Sequence, residues 1–292
     1  MRQNQASIPG QGRIKSKKKS EKIGKIITYI LLISLSVIFM IPFVWLLSSS
    51  LKSNADIFAM PPKWIPDPIE FSNYVEVFRQ VPFFRFLANT LKIAVPVLVA
   101  NVFVSAMVGY AFARFRAPGK NVLFMLLLST MMLPSQVTMI PLFIMFKEVG
   151  WVDTLLPMIV PVFFGGSALY VFLFRQYYAT FSASLGEAAR IDGAGYFKTF
   201  THVYLPMSKP ILITVGIFSF MGSWNDFMGP LIYLNDMNNF TLAIGLNMFK
   251  TQYIQNWNYT MAYNVMIVAP LIILFFVAQK SFIQGIVITG TK

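Results

Sequence analysis

One short stretch of this very apolar chain has the residue types of a helix that docks onto another protein. It runs from Glu187 through Ala188 and Ala189 to Asp192 and Gly193. A carboxylate can pair with a basic group on a partner, and small side chains let a second backbone approach closely, as they do between packed helices. Glycine can take a positive φ and so end the helix. The chemistry is therefore non-covalent docking, and the alternative is an amphipathic helix pair lying on the lipid surface.

The flanking residues predict the start of this helix and the structure of the next segment. Ser184 and Glu187 have the spacing of a capping box, in which each side chain bonds the backbone amide of the other residue. A second short helix is predicted over 196–203, with its aromatic residues largely on one face. Pro206 and Pro210 then mark the turn into the next apolar segment.

A second group of polar side chains has the types that bind sugars. Gln136 lies within one apolar segment, and Trp224, Asn225 and Asp226 lie at the end of another. Polar residues in membrane helices are candidates for a substrate path, because an aromatic ring can stack on the C–H face of a sugar while amides and carboxylates bond its hydroxyl groups. The alternatives are a hydrogen bond to a neighbouring helix for Gln136 and Asn225 and an interface anchor for Trp224. The segments contain no Asp, Glu or His relay of the kind that a proton-coupled carrier uses.

The elements that position these residues are membrane helices. The chain is 56% hydrophobic and only 12% charged, whereas about 25% of the residues of a soluble domain are charged. Since a membrane helix needs about 20 mostly apolar residues, we predict an all-α integral membrane protein with six spans, over 26–47, 86–112, 122–146, 155–178, 210–227 and 261–282. Pro134 and Pro141 are predicted to kink the third span. The absence of cysteine excludes disulfides and thiolate metal sites, and no metal site is expected.

The distribution of charge predicts the orientation of the spans. The two termini and the second-to-third and fourth-to-fifth loops hold 17 basic residues against three acids, while the alternate loops hold six against eight. Because basic residues remain on the cytoplasmic side, both termini are predicted to be cytoplasmic. The net charge of +13 thus sets topology, and a nucleic-acid partner is not expected.

The chain divides into two regions. Residues 1–25 form a basic cytoplasmic tail, of which 1–20 are predicted to be disordered because they lack apolar periodicity. Residues 26–292 form the transmembrane domain, with the docking loop at about 182–209. The first span is interpreted as an anchor rather than a cleaved signal peptide, because its apolar run exceeds the usual ~7–15 residues of a signal sequence. The outer stretch around 60–68 is too proline-rich for a helix.

The docking stretch resembles the coupling loop of the membrane subunits of ABC importers. That pattern is Glu-Ala-Ala, three residues, Gly, nine residues, Ile, one residue and Leu-Pro, and here only the Ile is changed, to Val203. The Pro-Pro-x-Trp-Ile-Pro-Asp-Pro run at 61–68, Trp-Asn-Asp-Phe at 224–227 and the C-terminal Gly-Thr-Lys are similar to the carbohydrate branch of this family. Within that branch the chain resembles the smaller, maltose-type permease subunit with six helices.

The resemblance implies a type I ABC importer permease fold and a heteromeric complex. The expected partners are a second permease subunit, two ATPase subunits (or an ATPase homodimer), an extracytoplasmic sugar-binding protein and the lipid bilayer of a bacterial plasma membrane. It assigns ATPase coupling to Glu187, Ala188, Ala189, Asp192, Gly193, Leu205 and Pro206, and 284–292 is a second candidate contact. No Walker lysine motif is present, so the chain is not expected to be an enzyme, and ATP and Mg would be bound by the partners. The alternative is a membrane scaffold or an ion-coupled carrier that works without an ATPase.

Overall fold

The computed structural model describes residues 11–249 and 256–290, with side chains described for 21–249, 256–277 and 279. Over this part of the chain the protein is all-helical, which confirms the predicted fold class. The α-helices in chain order are α1 (Gln11–Ser49), α2 (Asn54–Ile57), α3 (Ser72–Gln80), α4 (Phe83–Arg114), α5 (Lys120–Ser129), α6 (Ser135–Glu148), α7 (Leu156–Phe163), α8 (Ala168–Ala179), α9 (Ala183–Ile191), α10 (Tyr196–Thr199), α11 (Leu205–Met207), α12 (Lys209–Trp224), α13 (Met228–Tyr233), α14 (Leu242–Gly245) and α15 (Trp257–Gly290). A π-helical turn, Phe200–Tyr204, joins α10 to α11.

The lengths of the apolar helices agree with the six predicted spans. Four stretches are long and apolar enough to cross a membrane by themselves, and these are Glu21–Ser49, Phe83–Arg114, Leu156–Ala179 and Trp257–Val277. Two further stretches are pairs bent at a short break, Lys120–Met132 with Ser135–Glu148 by 98° and Tyr196–Met207 with Lys209–Trp224 by 83°. The described chain therefore has four spans, or six if each bent pair is one span.

Proline chemistry explains the first of these bends. Leu133, the residue before Pro134, has φ −80° and ψ 119° and so has left the helical region. A residue before proline is pushed out of the α region, and proline itself lacks the N–H that would continue the helix. The predicted kink at Pro134 is thus a complete break, whereas α6 continues through Pro141.

Helix α4 is the central element of the membrane domain. It packs against α7, α8 and α12, and α12 packs in turn against α15. A Cβ on Gly109 would lie 2.6 Å from the Cβ of Phe174, so glycine is what lets α4 and α8 approach closely. The buried amide of Asn101 donates to the Ser219 hydroxyl at 2.9 Å and links α4 to α12.

Helix α1 differs from the prediction at its N-terminal end. It begins at Gln11, so residues 11–20 are helical rather than disordered, and residues 1–10 lie outside the described part. Lysine and arginine are good helix formers, and an established helix extends at little cost into such a segment. None of the apolar window within Glu21–Ser49 is buried in the chain, although α1 does pack against α15.

Two irregular segments connect helices at one end of the spans. The proline-rich stretch between α2 and α3 contains no helix, as predicted, and an ion pair of 2.6 Å joins Lys63 to Asp56 there. In the second segment the Asp153 carboxylate accepts the backbone N–H groups of Asn235 and Asp236, each at 2.9 Å. The ion pair in the first segment and the two hydrogen bonds in the second hold chain that has no long helix.

Candidate functional site

The docking helix α9 starts two residues earlier than the predicted capping box. Ser182 is its N-cap, and the Ser182 hydroxyl accepts the backbone N–H of Ser184 at 3.3 Å. Ser184 is therefore already inside the helix, and its own hydroxyl bonds that of Ser182 at 2.7 Å. The prediction of a Ser184–Glu187 capping box is wrong. Among the described residues the Glu187 carboxylate has no hydrogen-bond or ion-pair partner, so it is free of any capping role.

The end of α9 agrees with the sequence prediction. Gly193 has φ 78°, in the left-handed region. Its N–H donates to the carbonyl of Arg190 at 2.9 Å, and the N–H of Ala194 donates to the carbonyl of Ala189 at 2.9 Å. These two bonds form a Schellman motif, in which glycine avoids the steric cost of the left-handed conformation. The helix is thus closed at both ends by its own residues.

The two faces of α9 have different surroundings. Ala189 is buried, and Leu185 packs against a cluster of buried residues that we call the inner cluster. Its members are Ala106, Tyr110, Phe174, Tyr178, Phe200, Tyr204 and Val215. On the opposite side lies a strip of exposed residues at helical spacing, here called the docking strip, which consists of Ser184, Glu187, Ala188 and Ile191. Of the two alanines, only Ala188 is open to a partner in this structure.

Ile191 is a candidate contact that the sequence pattern did not identify. It is 87% exposed at the C-terminal end of the docking strip. The motif places it between Arg190 and Asp192, but its exposure depends on which face of α9 packs inward. Asp192 is the C-cap residue and is also exposed, so it extends the same exposed surface.

The residues after Gly193 connect α9 to the membrane helices. Phe200 and Tyr204 are buried in the inner cluster, whereas Tyr196 and Phe197 are exposed, so the predicted single aromatic face is wrong. Phe200 instead faces the inner cluster, where its ring lies 5.3 Å from that of Tyr110. Leu205 packs against the inner cluster, and Pro206 is exposed.

Two polar contacts tie this loop to the spans on either side. The Ser208 hydroxyl donates to the carbonyl of Tyr204 at 2.5 Å, at the bend that leads into α12. The Arg114 guanidinium at the end of α4 donates to the carbonyls of Tyr178 and Phe181, at 2.5 and 2.6 Å. Since Phe181 immediately precedes the N-cap of α9, the docking helix is held at the junction of α4, α8 and α12.

The candidate substrate residues are only partly brought together. Trp224 is buried beside Phe220, with ring centroids 5.3 Å apart, and its indole N–H has no partner among the described residues. Asn225 is exposed and donates to the carbonyl of Met221 at 2.8 Å, while Asp226 accepts the N–H of Gly229 at 3.1 Å.

Gln136 lies apart from that group, in the first turn of α6. It is exposed, and the Ser135 hydroxyl lies 3.5 Å from its amide oxygen. Contact between α6 and α13 is made two turns further along, where Phe143 stacks on Tyr233 with ring centroids 6.4 Å apart. The consecutive residues Trp224, Asn225 and Asp226 thus have different surroundings, and Gln136 lies on a separate exposed helix end.

Comparison with known proteins gives consistent matches over most of the chain. Residues 101–288, which include α9 and the loop after it, match a family described as "Binding-protein-dependent transport system inner membrane component". An arabinooligosaccharides transport system permease protein of Halalkalibacterium halodurans is 34% identical over 228 residues, which cover 78% of this chain and 81% of the relative. A probable ABC transporter permease protein of Bacillus subtilis is 32% identical over 255 residues, covering 86% of this chain and 83% of the relative.

A solved structure extends the comparison to the fold. A chain in the crystal structure of a bacterial ABC transporter involved in the import of the acidic polysaccharide alginate superimposes with a TM-score of 0.77 and 26% identity. The match covers 90% of this chain and 98% of that one. The predicted type I importer permease fold is thereby confirmed, as is the resemblance drawn from the motifs.

Proposed function

This chain belongs to the family of binding-protein-dependent transport system inner membrane components, and on that basis we propose that it is a permease subunit of an ATP-driven sugar importer. The family and the apolar helices make it a multi-pass membrane protein that is not itself catalytic. The proposed location is the bacterial plasma membrane, with both termini in the cytoplasm. ATP and Mg would be bound by two partner ATPase subunits.

The observation that carries the proposal is the docking strip on α9. An apolar side chain that is 87% exposed, Ile191, lies beside the small Ala188 and the unpaired carboxylate of Glu187. Exposed apolar groups that lie next to polar ones are typical of protein interaction sites. In the proposed complex Ile191 and Ala188 enter a groove of the ATPase, and Glu187 pairs with a basic residue there.

The contacts of the loop supply the mechanical coupling. Leu185 and Leu205 pack against the inner cluster, and Ser208 holds the bend before α12. Because packed interiors transmit displacement, a shift of α9 on ATPase closure would move α4, α8 and α12 as a group. Gly193, which closes α9, keeps the helix intact during this movement.

The proposed substrate is a sugar, most simply an oligosaccharide delivered by an extracytoplasmic binding protein. Support comes from the arabinooligosaccharide permease relative and from the structure of the alginate importer. Asn225 is exposed and Asp226 is half-buried, so these two could contact a sugar in the present conformation. Trp224 would have to leave its buried position to do so, and Gln136 would act from a separate helix.

A second permease subunit and the bilayer would cover the remaining apolar surface. Side chains of the bent pair Lys120–Met132 and Ser135–Glu148 are strongly exposed, among them Met132 at 83% and Ile140 at 66%. The exposed α1 would contact lipid or the second subunit. The proposed second ATPase contact at 284–292 falls outside the residues whose side chains are described.

Transport by the reconstituted complex tests the coupling proposal. Glu187→Lys and Gly193→Pro should each abolish most ATP-driven uptake, the first by reversing the docking charge and the second because proline cannot adopt φ 78°. Lys198→Gln, a charge change on the exposed face of α10, is the matched control and should retain uptake. Uptake at the wild-type rate in both variants would refute the coupling role. Uptake driven by an ion gradient in the absence of any ATPase would instead identify an ion-coupled carrier.

A further inference from the structure

A cavity of about 520 Å³ lies between α9 and the inner cluster, and Tyr110 and Tyr204 of that cluster line it. Its size is within the range of roughly 300–1,000 Å³ typical of small-molecule pockets. The lining comes from the end of α4, the α4–α5 connection, α9, α10 and the π-helical turn. Gly186 and Arg190 line it from α9, whereas Ala188 and Ile191 do not. The cavity is therefore separate from the apolar part of the docking strip.

The charge of this cavity is strongly positive. Three guanidinium groups line it, those of Arg114, Arg116 and Arg190, against the single carboxylate of Glu187. The two ion pairs found in the described part of the chain join Lys63 to Asp56 and Arg79 to Glu76, so none of the three arginines has a carboxylate within 4.0 Å. Such an unbalanced cluster attracts anions. The planar guanidinium also matches the geometry of phosphate oxygens.

Two buried donors in the lining lack protein partners. Thr199 is only 3% exposed, and its hydroxyl has no hydrogen-bond partner among the described residues. The Nε of Arg114 is also buried without a partner, although its Nη2 donates to two carbonyls and its guanidinium lies 5.2 Å from the centre of the Tyr204 ring. Buried polar groups are nearly always hydrogen-bonded, so two donors without partners on residues that line the cavity favour an acceptor bound beside them.

We propose that this cavity binds a phosphate group. The Arg116 and Arg190 guanidinium groups would pair with its oxygens, and the Thr199 hydroxyl and Arg114 Nε would donate to them. A phosphate carried by a lipid headgroup and a phosphate free in solution offer the same oxygens. In either case the bound group ties α9 to the α4–α5 connection, which no hydrogen bond within the described chain does. It would therefore fix the docking helix against the membrane domain.

The test measures the unfolding temperature of the full chain purified in a maltoside detergent. One arm adds inorganic phosphate at constant ionic strength, and the other adds phosphatidylglycerol in comparison with a neutral glycolipid. Either ligand should raise the unfolding temperature. Arg116→Gln should weaken the apparent affinity roughly tenfold or more, since it removes charge-assisted hydrogen bonds. Lys198→Gln removes the same charge from an exposed position outside the cavity lining and should leave the affinity unchanged.

A nearly isosteric variant separates binding from folding. Thr199→Val removes the unpaired hydroxyl, so the ligand-free protein should be as stable as the wild type or more stable, while phosphate affinity falls. Stabilisation by phosphate alone identifies a soluble ligand, and stabilisation by phosphatidylglycerol alone identifies a lipid headgroup. The proposal is overturned if neither ligand stabilises the wild type, or if the wild type, Arg116→Gln and Thr199→Val respond equally.

Discussion

Replacement of Ile191 by serine gives the sharpest test of how α9 meets a partner. The side chain is 87% exposed in the chain, so nearly all of its burial remains to be gained on docking. Full burial of an isoleucine side chain is worth about 1.5–3 kcal/mol. The Ile191→Ser variant should therefore bind the ATPase subunit roughly ten- to a hundredfold more weakly.

The same exposure predicts that the variant folds normally. A substitution at an exposed position away from special features changes the free energy of unfolding by no more than about 0.5 kcal/mol. The assay is a titration of the co-purifying ATPase subunit onto the chain in lipid nanodiscs, with the unfolding temperature measured on the same samples. Weaker binding at an unchanged unfolding temperature would show that Ile191 acts at the interface.

The matched control lies in the outer proline-rich segment. Ile65 is 80% exposed there, so Ile65→Ser removes a similar exposed apolar side chain from a surface that the ATPase does not reach in the proposed complex. It should bind the ATPase with wild-type affinity. An Ile191→Ser variant that binds as tightly as the wild type, or an equal loss in both variants, would refute the reasoning.

Three further predictions concern the backbone and the outer surface. Gly193→Ala should lower the stability of the α9 loop by about 1–2 kcal/mol, because residue 193 has φ 78°. Gly195→Ala, where φ is −67° and only the modest N-cap preference for glycine is lost, should cost less in the same thermal unfolding assay. Gly109→Val should destabilise the protein strongly, since a Cβ there meets α8 at 2.6 Å, and Gly222→Val, where no atom lies within 4 Å, is the control. Backbone N–H donors hold the pKa of the Asp153 carboxyl below its ordinary value, so its stabilising contribution should be complete above pH ~4 and lost as the pH falls through the lowered pKa. In Asp153→Asn this loss of stability at low pH should disappear when the free energy of unfolding is measured against pH. A variant that loses as much stability at low pH as the wild type would contradict the prediction.

The positions of the membrane helices and their breaks were largely predictable from the sequence. The spans can be located from apolar length alone, because a segment that crosses lipid must form a helix that satisfies its own backbone hydrogen bonds. Pro134 fixed one break, because a residue before proline leaves the helical region. The extension of α1 to Gln11 was missed because a basic, aperiodic segment gives no signal of its own when it merely continues an existing helix.

The site was less predictable because its geometry depends on contacts distant in sequence. The positive φ of Gly193 is predictable, because the left-handed conformation that ends a helix is a local requirement. The roles of Ala188 and Ala189 could not be separated, because their exposure depends on the inner cluster, which gathers residues from α4, α8 and α12. The residue type of Trp224 predicts a place in a substrate path, yet the structure buries it in a core with residues of α4 and α15.

Glu187 occupies the one position on α9 that borders both the docking strip and the phosphate cavity. Its negative charge favours a basic partner on one side and opposes an anion on the other. The Glu187 carboxylate therefore favours ATPase docking and opposes phosphate binding. A basic ATPase residue that pairs with Glu187 would neutralise the charge facing the cavity, and this would raise phosphate affinity. By the reciprocity of linked binding, phosphate in the cavity would then strengthen ATPase docking by the same factor. Glu187 is exposed and has no partner among the described residues, and this makes such a coupling physically available.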